Sequence, residues 1–479
     1  MYALTQEQQL LPDILHRDQD SFPADRLAQL DAAGWDALFH LAVELRVVPA
    51  VYERLKQRFA SPRTSTDTRD SAAQKSSVAK ITSTGQSTSY SLNNSFSSTL
   101  NHFAAYSREV AKKNLRYFGE LQRYLTRLKE AGIPVIPLKG IWLAHDVYPG
   151  KGMREMNDID LLFRYDDLPE ALRIVTEMGY LPEIPIHMRE NLQKSHHLPP
   201  LIRKQIAVFE LHWNITGPNK PYYIAPDTLW ERARPGRMTG LDVMLLSPED
   251  QLLHLALHTS YQHLFAFGLR PFYDIATTIQ YFRRAGTSDP QQVAAYTNAE
   301  KADSKHGNNA LQAVPALDWD LFCDRCIAFG WQRGVRLALT LSRDLVGAEV
   351  PDHVHARLQA EPDIDQELKN VALEQLFTKK KTVAQIPLPL VDMLEQKGVA
   401  GKLKAIWNRV YLPESNMLTK YPFERGSKWR YYYYLVRIHW LIRSYTVNMI
   451  RLMRGEKKLS GVVTRKKRLQ SWMNQETND

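Results

Sequence analysis

The sequence predicts an α+β protein that is mostly helical and contains one short mixed sheet. Apolar residues recur at helical spacing within residues 1–60 and again after residue 247. Between these stretches, short apolar runs alternate with polar residues, which is typical of half-buried strands. We therefore expect a small α/β domain between a set of N-terminal helices and a C-terminal helical domain.

The composition is that of an ordinary globular protein, with 479 residues of which 44% are hydrophobic and 24% charged. This excludes a wholly disordered chain and a small disulfide-stabilised scaffold. No run of 18 apolar residues and no secretory signal pattern occurs, so we expect a cytoplasmic protein without a transmembrane segment. Cys323 and Cys326 lie in a helical pattern without a second pair, and we interpret them as structural.

The N-terminal part divides into helices and an insertion. Residues 1–60 are predicted to be helical, whereas residues 61–100 hold 12 Ser and 7 Thr among 40 positions and few apolar residues. The composition of this segment predicts a disordered insertion, because little apolar surface is available for burial. A long helix is then predicted from His102 to Lys129, ending before Gly132.

Residues 101–246 form the predicted α/β domain. Its elements are a strand, a turn, a short helix, a strand, a helix and a strand, at residues 133–137, 139–140, 141–146, 158–163, 167–178 and 206–213. Residues 247–455 form the predicted helical domain. Its clearest helices lie at residues 250–261, 270–284, 319–345 and 429–453, with a polar connection at residues 286–312.

The net charge of +10 is concentrated at the C-terminus, where residues 401–479 hold 17 basic and 5 acidic side chains. Residues 456–479 form a predicted basic tail. On the preceding helix, an apolar face containing Leu435 is expected to pack on the helical domain, while an opposite face containing Arg437 is expected to be solvated. The alternative is that this arginine face and the tail bind an anionic partner, either RNA or a lipid surface.

Asp158 and Asp160 are the clearest candidates for chemistry. Residues i and i+2 of a strand point to the same side, so both carboxylates share one face and repel each other unless a divalent cation lies between them. Hard oxygen ligands of this kind suit Mg²⁺ or Mn²⁺. The same Asp-x-Asp spacing occurs at three other places, where we expect helix caps instead, namely Asp18/Asp20, Asp318/Asp320 and Asp363/Asp365. The alternative for Asp158 and Asp160 is a solvated strand end.

Glu210 supplies a third carboxylate on the last predicted strand. If this strand pairs beside the one that carries Asp160, Glu210 lies next to the two aspartates. Alternation places Glu210 and His212 on one face and Phe209 on the other. Three carboxylates can hold two metal ions, or hold one and activate a nucleophile. The alternative is that Glu210 faces water.

Several motifs share their order and content with one known family. They are Leu138-Lys-Gly140, Tyr148-Pro149, the run from Arg154 to Leu162, Met178-Gly-Tyr180, Glu210-Leu-His-Trp213, His254, His258 and the run from Leu269 to Ile275. In combination they resemble the uncharacterised nucleotidyltransferase family of the DNA polymerase β-like superfamily, over roughly residues 105–285. The resemblance implies a small polymerase β-like palm, with metal-binding carboxylates at Asp158 and Asp160 and a third carboxylate at Glu210 that acts on the acceptor.

The turn of this chain departs from the superfamily pattern. A Gly-Ser or Gly-Gly turn usually holds the β and γ phosphates there, whereas this chain has Lys139-Gly140-Ile141. We expect Gly140 to let the backbone approach a phosphate and Lys139 to supply a positive charge.

Arg154 completes the expected nucleotide-binding set. It lies four residues before Asp158 and is expected to contact a triphosphate oxygen bidentately. The alternative is an ion pair with Glu155 or Asp158. Arg270 and Asp274 have i, i+4 spacing and are expected to form an ion pair within one helix.

The clustered histidines are interpreted without a metal. His187, His196 and His197 are expected to be loop residues, because no carboxylate or cysteine stands at ligand spacing. His254 and His258 share a helix face and are expected to pack in the core or line a substrate site.

These observations predict a Mg²⁺- or Mn²⁺-dependent nucleotidyltransferase that moves a nucleoside monophosphate from an NTP to an acceptor. The acceptor is open, with a sugar, a small metabolite, a peptide and an RNA end all compatible with the sequence. The alternative is a catalytically degenerate palm that serves as a binding module for nucleic acid, a membrane surface or a protein through its basic C-terminal helix.

Overall fold

A computed structural model describes residues 4–18, 20–59, 94–285, 314–361, 363–377, 407, 410–418, 420–453 and 457–474. The protein is mostly helical and has a small mixed sheet, so the predicted α+β class is confirmed. The predicted connection at residues 286–312 and most of the predicted insertion lie outside the described residues. The division into domains stays a prediction.

A five-stranded sheet lies at the centre of the fold. Its strands are β1 (Ile136–Pro137), β2 (Ile159–Leu162), β3 (Leu181–Pro182), β4 (Leu201–Arg203) and β5 (Ala207–His212), in the spatial order β1-β2-β5-β4-β3. Strands β2 and β5 pair in parallel and the other neighbours are antiparallel. The predicted neighbourhood of β2 and β5 is therefore confirmed.

The sequence analysis missed β3, β4 and a separate hairpin. The hairpin consists of β6 (Arg234–Met238) and β7 (Leu241–Leu245). Strands β3 and β4 have only two and three residues, too few for a period-two pattern to stand out. Strand β6 contains Pro235 and Gly236, which are depleted from strands.

Five helices precede the sheet: α1 (Gln6–Leu15), α2 (Ala24–Ala28), α3 (Ala32–Glu44), α4 (Val48–Phe59) and α5 (Asn94–Glu130). Helix α5 begins at Asn94, so the last residues of the predicted insertion are helical rather than disordered. The reason is an aromatic contact, because the Phe96 ring lies 5.1 Å from the rings of both Trp35 and Phe59. This cluster fixes the first turns of α5 on α3 and α4.

Four short helices belong to the sheet region: α6 (Lys139–Trp142), α7 (Leu168–Glu177), α8 (Met188–Lys194) and α9 (Asp227–Glu231). Helix α6 continues as a π-helical turn over Leu143–Val147. The predicted turn at Lys139-Gly140 is thus the first part of a helix, and β1 leads directly into it.

Nine helices follow the hairpin: α10 (Pro248–Leu257), α11 (Arg270–Ala285), α12 (Trp319–Ala328), α13 (Gln332–Val346), α14 (Asp352–Arg357), α15 (Gln366–Phe377), α16 (Glu414–Leu418), α17 (Trp429–Met453) and α18 (Lys457–Asn474), as far as the described residues show. The single helix predicted over residues 319–345 is wrong. Gly330 has a left-handed conformation, with φ 69°, and ends α12 before α13 begins.

The end of the chain packs on the helical part. Leu469, Trp472 and Met473 of α18 are buried in the same hydrophobic cluster as the sheet. Arg465 donates to Glu374 of α15 at 3.0 Å. Arg468 pairs with Asp365 at 2.7 Å and also with Glu367. These two arginines of the predicted basic tail therefore face carboxylates of the same chain.

Two positions on the predicted faces of α17 are wrong, while Arg443 is exposed as predicted. Leu435 is 66% exposed, whereas Arg437 is 4% exposed and donates to the carbonyl of Val410. The reason is that a segment before α17 forms a small satellite core with Tyr433 and Tyr434 of α17, which the periodicity of α17 alone does not reveal. The buried members of this core are Met417, Leu418 and Phe423.

Candidate active site

The site is built on the parallel pair β2 and β5. Asp160 of β2 lies directly opposite Glu210 of β5 in the strand register. Asp158 precedes β2 and lies two residues before Asp160, so its side chain points to the same side of the strand. Burial, together with the charges of Asp160 and Glu210, raises the pKa of Asp158 to about 6. The structure therefore brings the three predicted carboxylates together.

Asp160 is the most enclosed of these carboxylates. Its Oδ1 lies 2.9 Å from Nε2 of His212 and 3.4 Å from Nζ of Lys139. Burial by itself would raise its pKa, but Lys139 and His212 outweigh burial and hold the pKa of Asp160 well below its usual value. Asp160 is thus a buried carboxylate that stays charged.

Lys139 is held beside Asp160 by the backbone. The amide of Leu138 donates to the carbonyl of Asp160 at 3.0 Å, and Lys139 itself has a left-handed φ of 44°. Burial would lower the pKa of Lys139, but the charges of Asp160, Glu210 and Asp158 outweigh it and raise that pKa. A left-handed conformation at a non-glycine residue costs energy and is frequent at functional sites.

His212 is a site residue that the sequence analysis placed on the correct face but did not assign. Ligand atoms of Asp160, Glu210 and His212 all lie within 4.8 Å of one another, and His212 and Asp160 are buried. Burial and Lys139 lower the pKa of His212, while its hydrogen bonds to Asp160 and Glu210 outweigh them and raise it. The i+2 spacing from Glu210 was the available signal, because it puts the imidazole beside the carboxylate.

Further histidines line the side of the site behind His212. The rings of His196 and His197 lie 5.5 Å and 5.0 Å from the His212 ring, and His197 forms a β-bridge with His212. Burial and then His212 lower the pKa of both. Burial, followed by Lys139 and His212, also lowers the pKa of His254 on α10. The rings of His196 and His197 thus lie beside His212, which their loop positions did not predict, whereas a place lining the site was one of the two expectations for His254.

Gly140 and Arg154 are in contact with each other. A Cβ on Gly140 would lie 2.7 Å from Nη1 of Arg154, so only glycine fits without movement of the arginine. This contact gives Gly140 a packing role. An approach of a phosphate to its backbone stays a prediction.

Arg154 forms an ion pair that the sequence analysis did not anticipate. Its Nε and Nη2 donate to the two carboxylate oxygens of Asp274, each at 2.9 Å, and both side chains are buried. The pairs considered from the sequence, Arg154 with Glu155 or Asp158 and Arg270 with Asp274, are therefore wrong. The fork expected to contact a triphosphate is occupied by Asp274.

Two of the other Asp-x-Asp pairs act as helix caps, as predicted, whereas Asp18 accepts from the amide of Asp20 and the hydroxyl of Ser21 between α1 and α2 and caps no helix. Asp318 accepts from the amides of Asp320 and Leu321 at the start of α12. Asp365 accepts from the amide of Leu368 at the start of α15. None of these carboxylates lies on a strand of the described sheet. The context of an alternating strand therefore separated Asp158 and Asp160 from them correctly.

Among the described residues, the two cysteines and His187 contact none of the site carboxylates, whereas burial, then His263 and Lys139, lowers the pKa of His258. Cys323 and Cys326 are free and buried, which agrees with a structural role. His258 lies against His263, with 3.1 Å between their Nε2 atoms. His187 donates its backbone amide to Asn191.

Comparison with known proteins identifies a family. The model of a family described as uncharacterised nucleotidyltransferase matches residues 31–302, which is more than half of the chain. The match extends beyond the motifs to helices α3 and α4. No curated protein and no solved structure shows significant similarity to the chain. Among the helices of the described ranges, none has the length and apolar character needed to cross a membrane.

Proposed function

Because this chain belongs to the uncharacterised nucleotidyltransferase family, we propose that it transfers a nucleoside monophosphate from an NTP to an acceptor at Asp158, Asp160 and Glu210. The observation that carries the proposal is the register of β2 and β5, which sets Asp160 opposite Glu210. In this proposal the five-stranded sheet and its helices are a small palm of the polymerase β-like kind, and the C-terminal helices help to enclose the substrates.

The donor set suits a divalent metal ion. Asp158, Asp160 and Glu210 offer hard carboxylate oxygens, and His212 offers an imidazole within reach of two of them. We propose Mg²⁺ or Mn²⁺ as the resident cofactor. Such an ion would neutralise phosphate charge and lower the pKa of an acceptor hydroxyl.

The reaction joins an acceptor oxygen to the α-phosphorus and breaks the bond from that phosphorus to the bridging oxygen, so that pyrophosphate leaves. Glu210 is the better placed carboxylate to accept the acceptor proton, because its side chain is 21% exposed while that of Asp160 is 4% exposed. His212 positions Asp160 through the 2.9 Å contact. Asp158 and Asp160 are assigned to the metal.

The residues expected to contact the nucleotide receive different roles. Lys139 would place a positive charge next to the phosphates, because its ammonium already lies beside Asp160. Gly140 would present its backbone at the start of α6. We assign Arg154 a positioning role, because Asp274 of α11 occupies its fork and Arg154 itself lies just before β2.

A second candidate function is binding without transfer. The observation that favours it is the 3.4 Å contact between Lys139 Nζ and Asp160 Oδ1, since an ammonium there competes with a metal ion for the same oxygen. The proposed anionic partner of the C-terminal helices would be RNA or a lipid surface. Arg465 and Arg468 contribute less to such a surface than expected, because both pair with carboxylates of α15 or the turn before it.

The two functions are separated by one assay. The full chain is incubated with each of the four NTPs labelled on the α-phosphate, with Mg²⁺ or Mn²⁺ and with a cell extract as source of acceptors. Transfer of label with stoichiometric release of pyrophosphate supports the first function. Label that stays in the NTP, with no pyrophosphate release under any condition, supports the second.

A further inference from the structure

Three basic side chains from distant parts of the chain converge near Asp158. Arg46 comes from the turn after α3, Lys113 from α5 and Arg270 from the first position of α11. The guanidinium carbons of Arg46 and Arg270 lie 4.9 Å and 5.8 Å from the centre of the Phe267 ring. Burial lowers the pKa of Lys113, and the charges of Arg270 and Arg46 lower it further, against the opposite effects of Glu155 and Asp158. We call Arg46, Lys113 and Arg270 the basic cluster.

The backbone holds the basic cluster in place. Arg46 has a left-handed φ of 61°, which costs energy at a residue with a side chain. The turn that follows Phe267 packs tightly on the turn before Arg46, since a Cβ on Gly268 would lie 2.9 Å from the carbonyl of Leu45. The amide of Arg270 also faces that carbonyl, at 3.4 Å. Two turns that are far apart in sequence are thus locked together where the two arginines meet.

The charge of the basic cluster is not balanced by ion pairs. Among the described residues, none of its three members lies within 4.0 Å of a carboxylate oxygen. Arg270 is 9% exposed, its Nη1 donates to the carbonyl of Glu155 at 2.9 Å, and its Nε has no hydrogen-bond partner. Lys113 donates to the neutral side chain of Asn157 and lies 5.6 Å from the centre of the Tyr117 ring. Arg154, which is equally buried, has both oxygens of Asp274.

Arg270 is buried and Arg46 and Lys113 are half-buried. A buried cation without a counter-charge is costly, and a ligand that supplies the anion removes that cost. Arginine forks match phosphate oxygens, and lysine supplies a point charge. The cluster lies on the Asp158 side of the carboxylates, because Lys113 donates to Asn157, the residue before Asp158, and Arg270 donates to the carbonyl of Glu155, three residues before it. An anion bound there would lie next to the proposed metal site.

We propose that Arg46, Lys113 and Arg270 bind the β and γ phosphates of the NTP. This inference rests on the proposed function and says which residues take over from the hydroxyl that the Lys139-Gly140-Ile141 turn lacks. The N-terminal helices then belong to the nucleotide site, because Arg46 follows α3 directly. The match of the family model from residue 31 onward includes this residue.

The test measures binding of two probes to the full chain by titration calorimetry in Mg²⁺. One is ATP with a methylene group between the α- and β-phosphorus, or the corresponding analogue of whichever NTP binds, and the other is the matching nucleoside monophosphate. Arg46→Gln, Lys113→Gln and Arg270→Gln are each expected to weaken the analogue on the order of tenfold and to leave the monophosphate unchanged. Arg58→Gln is the matched control, because Arg58 also lies over a phenylalanine ring, that of Phe22 at 5.7 Å, but belongs to no such cluster.

A charge-conserving variant and a comparison of the two probes decide between the possible outcomes. Arg270→Lys keeps the charge and loses the fork, so it is expected to bind the analogue more tightly than Arg270→Gln, whereas a purely structural Arg270 would show no such rescue. Equal loss of analogue and monophosphate affinity would assign the cluster to an α-phosphate or an acceptor phosphate and overturn the proposal. Unchanged analogue affinity in the Arg46 and Arg270 variants would overturn it while leaving the proposed function intact. Wild-type protein that binds no NTP analogue would overturn the proposed function itself.

Discussion

Arg154 and Asp274 form a bidentate, buried ion pair that joins the segment before β2 to helix α11. The exposed fractions of the two side chains are 7% and 4%. The hydroxyl of Tyr148 donates to the same carboxylate at 2.8 Å. Asp274 therefore holds two points of the segment that leads to Asp158, so this pair connects the helical part of the protein to the proposed catalytic carboxylates.

Breaking this pair on one side should destabilise the fold strongly. Arg154→Met leaves Asp274 buried without its counter-charge, and we expect the free energy of unfolding to fall by about 3–5 kcal/mol. Asp274→Leu should cost a similar amount, and the double variant should lose clearly less than the sum of the two. Chemical denaturation measures all three. Arg173→Met, which removes an exposed pair with Glu170, is the control and should change little. Additive losses would show that the pair is not energetically coupled.

Substitutions of the three carboxylates should differ in their effects on turnover and on the unfolding temperature. Asp158→Asn and Asp160→Asn are expected to abolish transfer, and Glu210→Gln to lower turnover on the order of 10²–10⁴. Thermal unfolding should distinguish the two aspartates, since Asp158 is half-buried beside the like charges of Asp160 and Glu210, while Asp160 balances Lys139. Asp158→Asn should leave the unfolding temperature unchanged or raise it, and Asp160→Asn should lower it. Asp363→Asn is the control for turnover, because Asp363 belongs to an Asp-x-Asp pair with the same spacing outside the site. Full turnover in either active-site aspartate variant would remove the assignment.

The C-terminal helix should contribute to stability. Leu469 is fully buried, so Leu469→Ala is expected to lower the free energy of unfolding by about 2–5 kcal/mol through lost burial and a residual cavity. Leu435→Ala makes the same chemical change at a side chain that is 66% exposed, and it should have little effect. Equal effects of the two substitutions in denaturation curves would mean that α18 does not pack as described.

The two cysteines should be unreactive in the folded protein. Burial raises the pKa of Cys323 to about 11 and raises that of Cys326 well above its usual value. A thiol whose pKa is raised on folding stabilises the protein below its unfolded pKa of about 8.5, and this contribution is lost as the pH rises toward 11. Alkylation at pH 8 should be slow in buffer and fast in denaturant. Rapid labelling of the native protein would favour a redox role for the pair.

The sequence predicted which site residues share a face of one strand, but not how the two strands of the site align with each other. Period-two alternation puts Asp158 with Asp160 and Glu210 with His212, and both groupings follow from backbone geometry alone. The register that sets Asp160 opposite Glu210 could not be read in the same way, because it depends on the connection between the strands. The short strands β3 and β4 in that connection carried too few residues to be recognised.

Side-chain contacts between residues far apart in the sequence could not be predicted from local patterns. Arg270 and Asp274 have the spacing of a helical ion pair, yet Asp274 pairs with Arg154, 120 residues away. A buried, bidentate ion pair stabilises the protein more than a solvent-exposed pair on one helix face does, so Asp274 pairs with Arg154. Similarly, Arg437 is buried because α17 is covered by a segment whose position no periodicity within α17 could indicate.

The parallel pairing of β2 with β5 also constrains how the protein can be made. During synthesis, β1 is available to pair with one edge of β2 as soon as β2 emerges. The other edge of β2 has no partner until β5 has been synthesised as far as residue 212. An open strand edge flanked by apolar residues such as Ile159 and Leu161 invites pairing with another chain. Residues 163–206 must therefore fold into place before the nascent chain is protected. We expect the interval between the synthesis of β2 and of β5 to be the period when this protein depends most on chaperones.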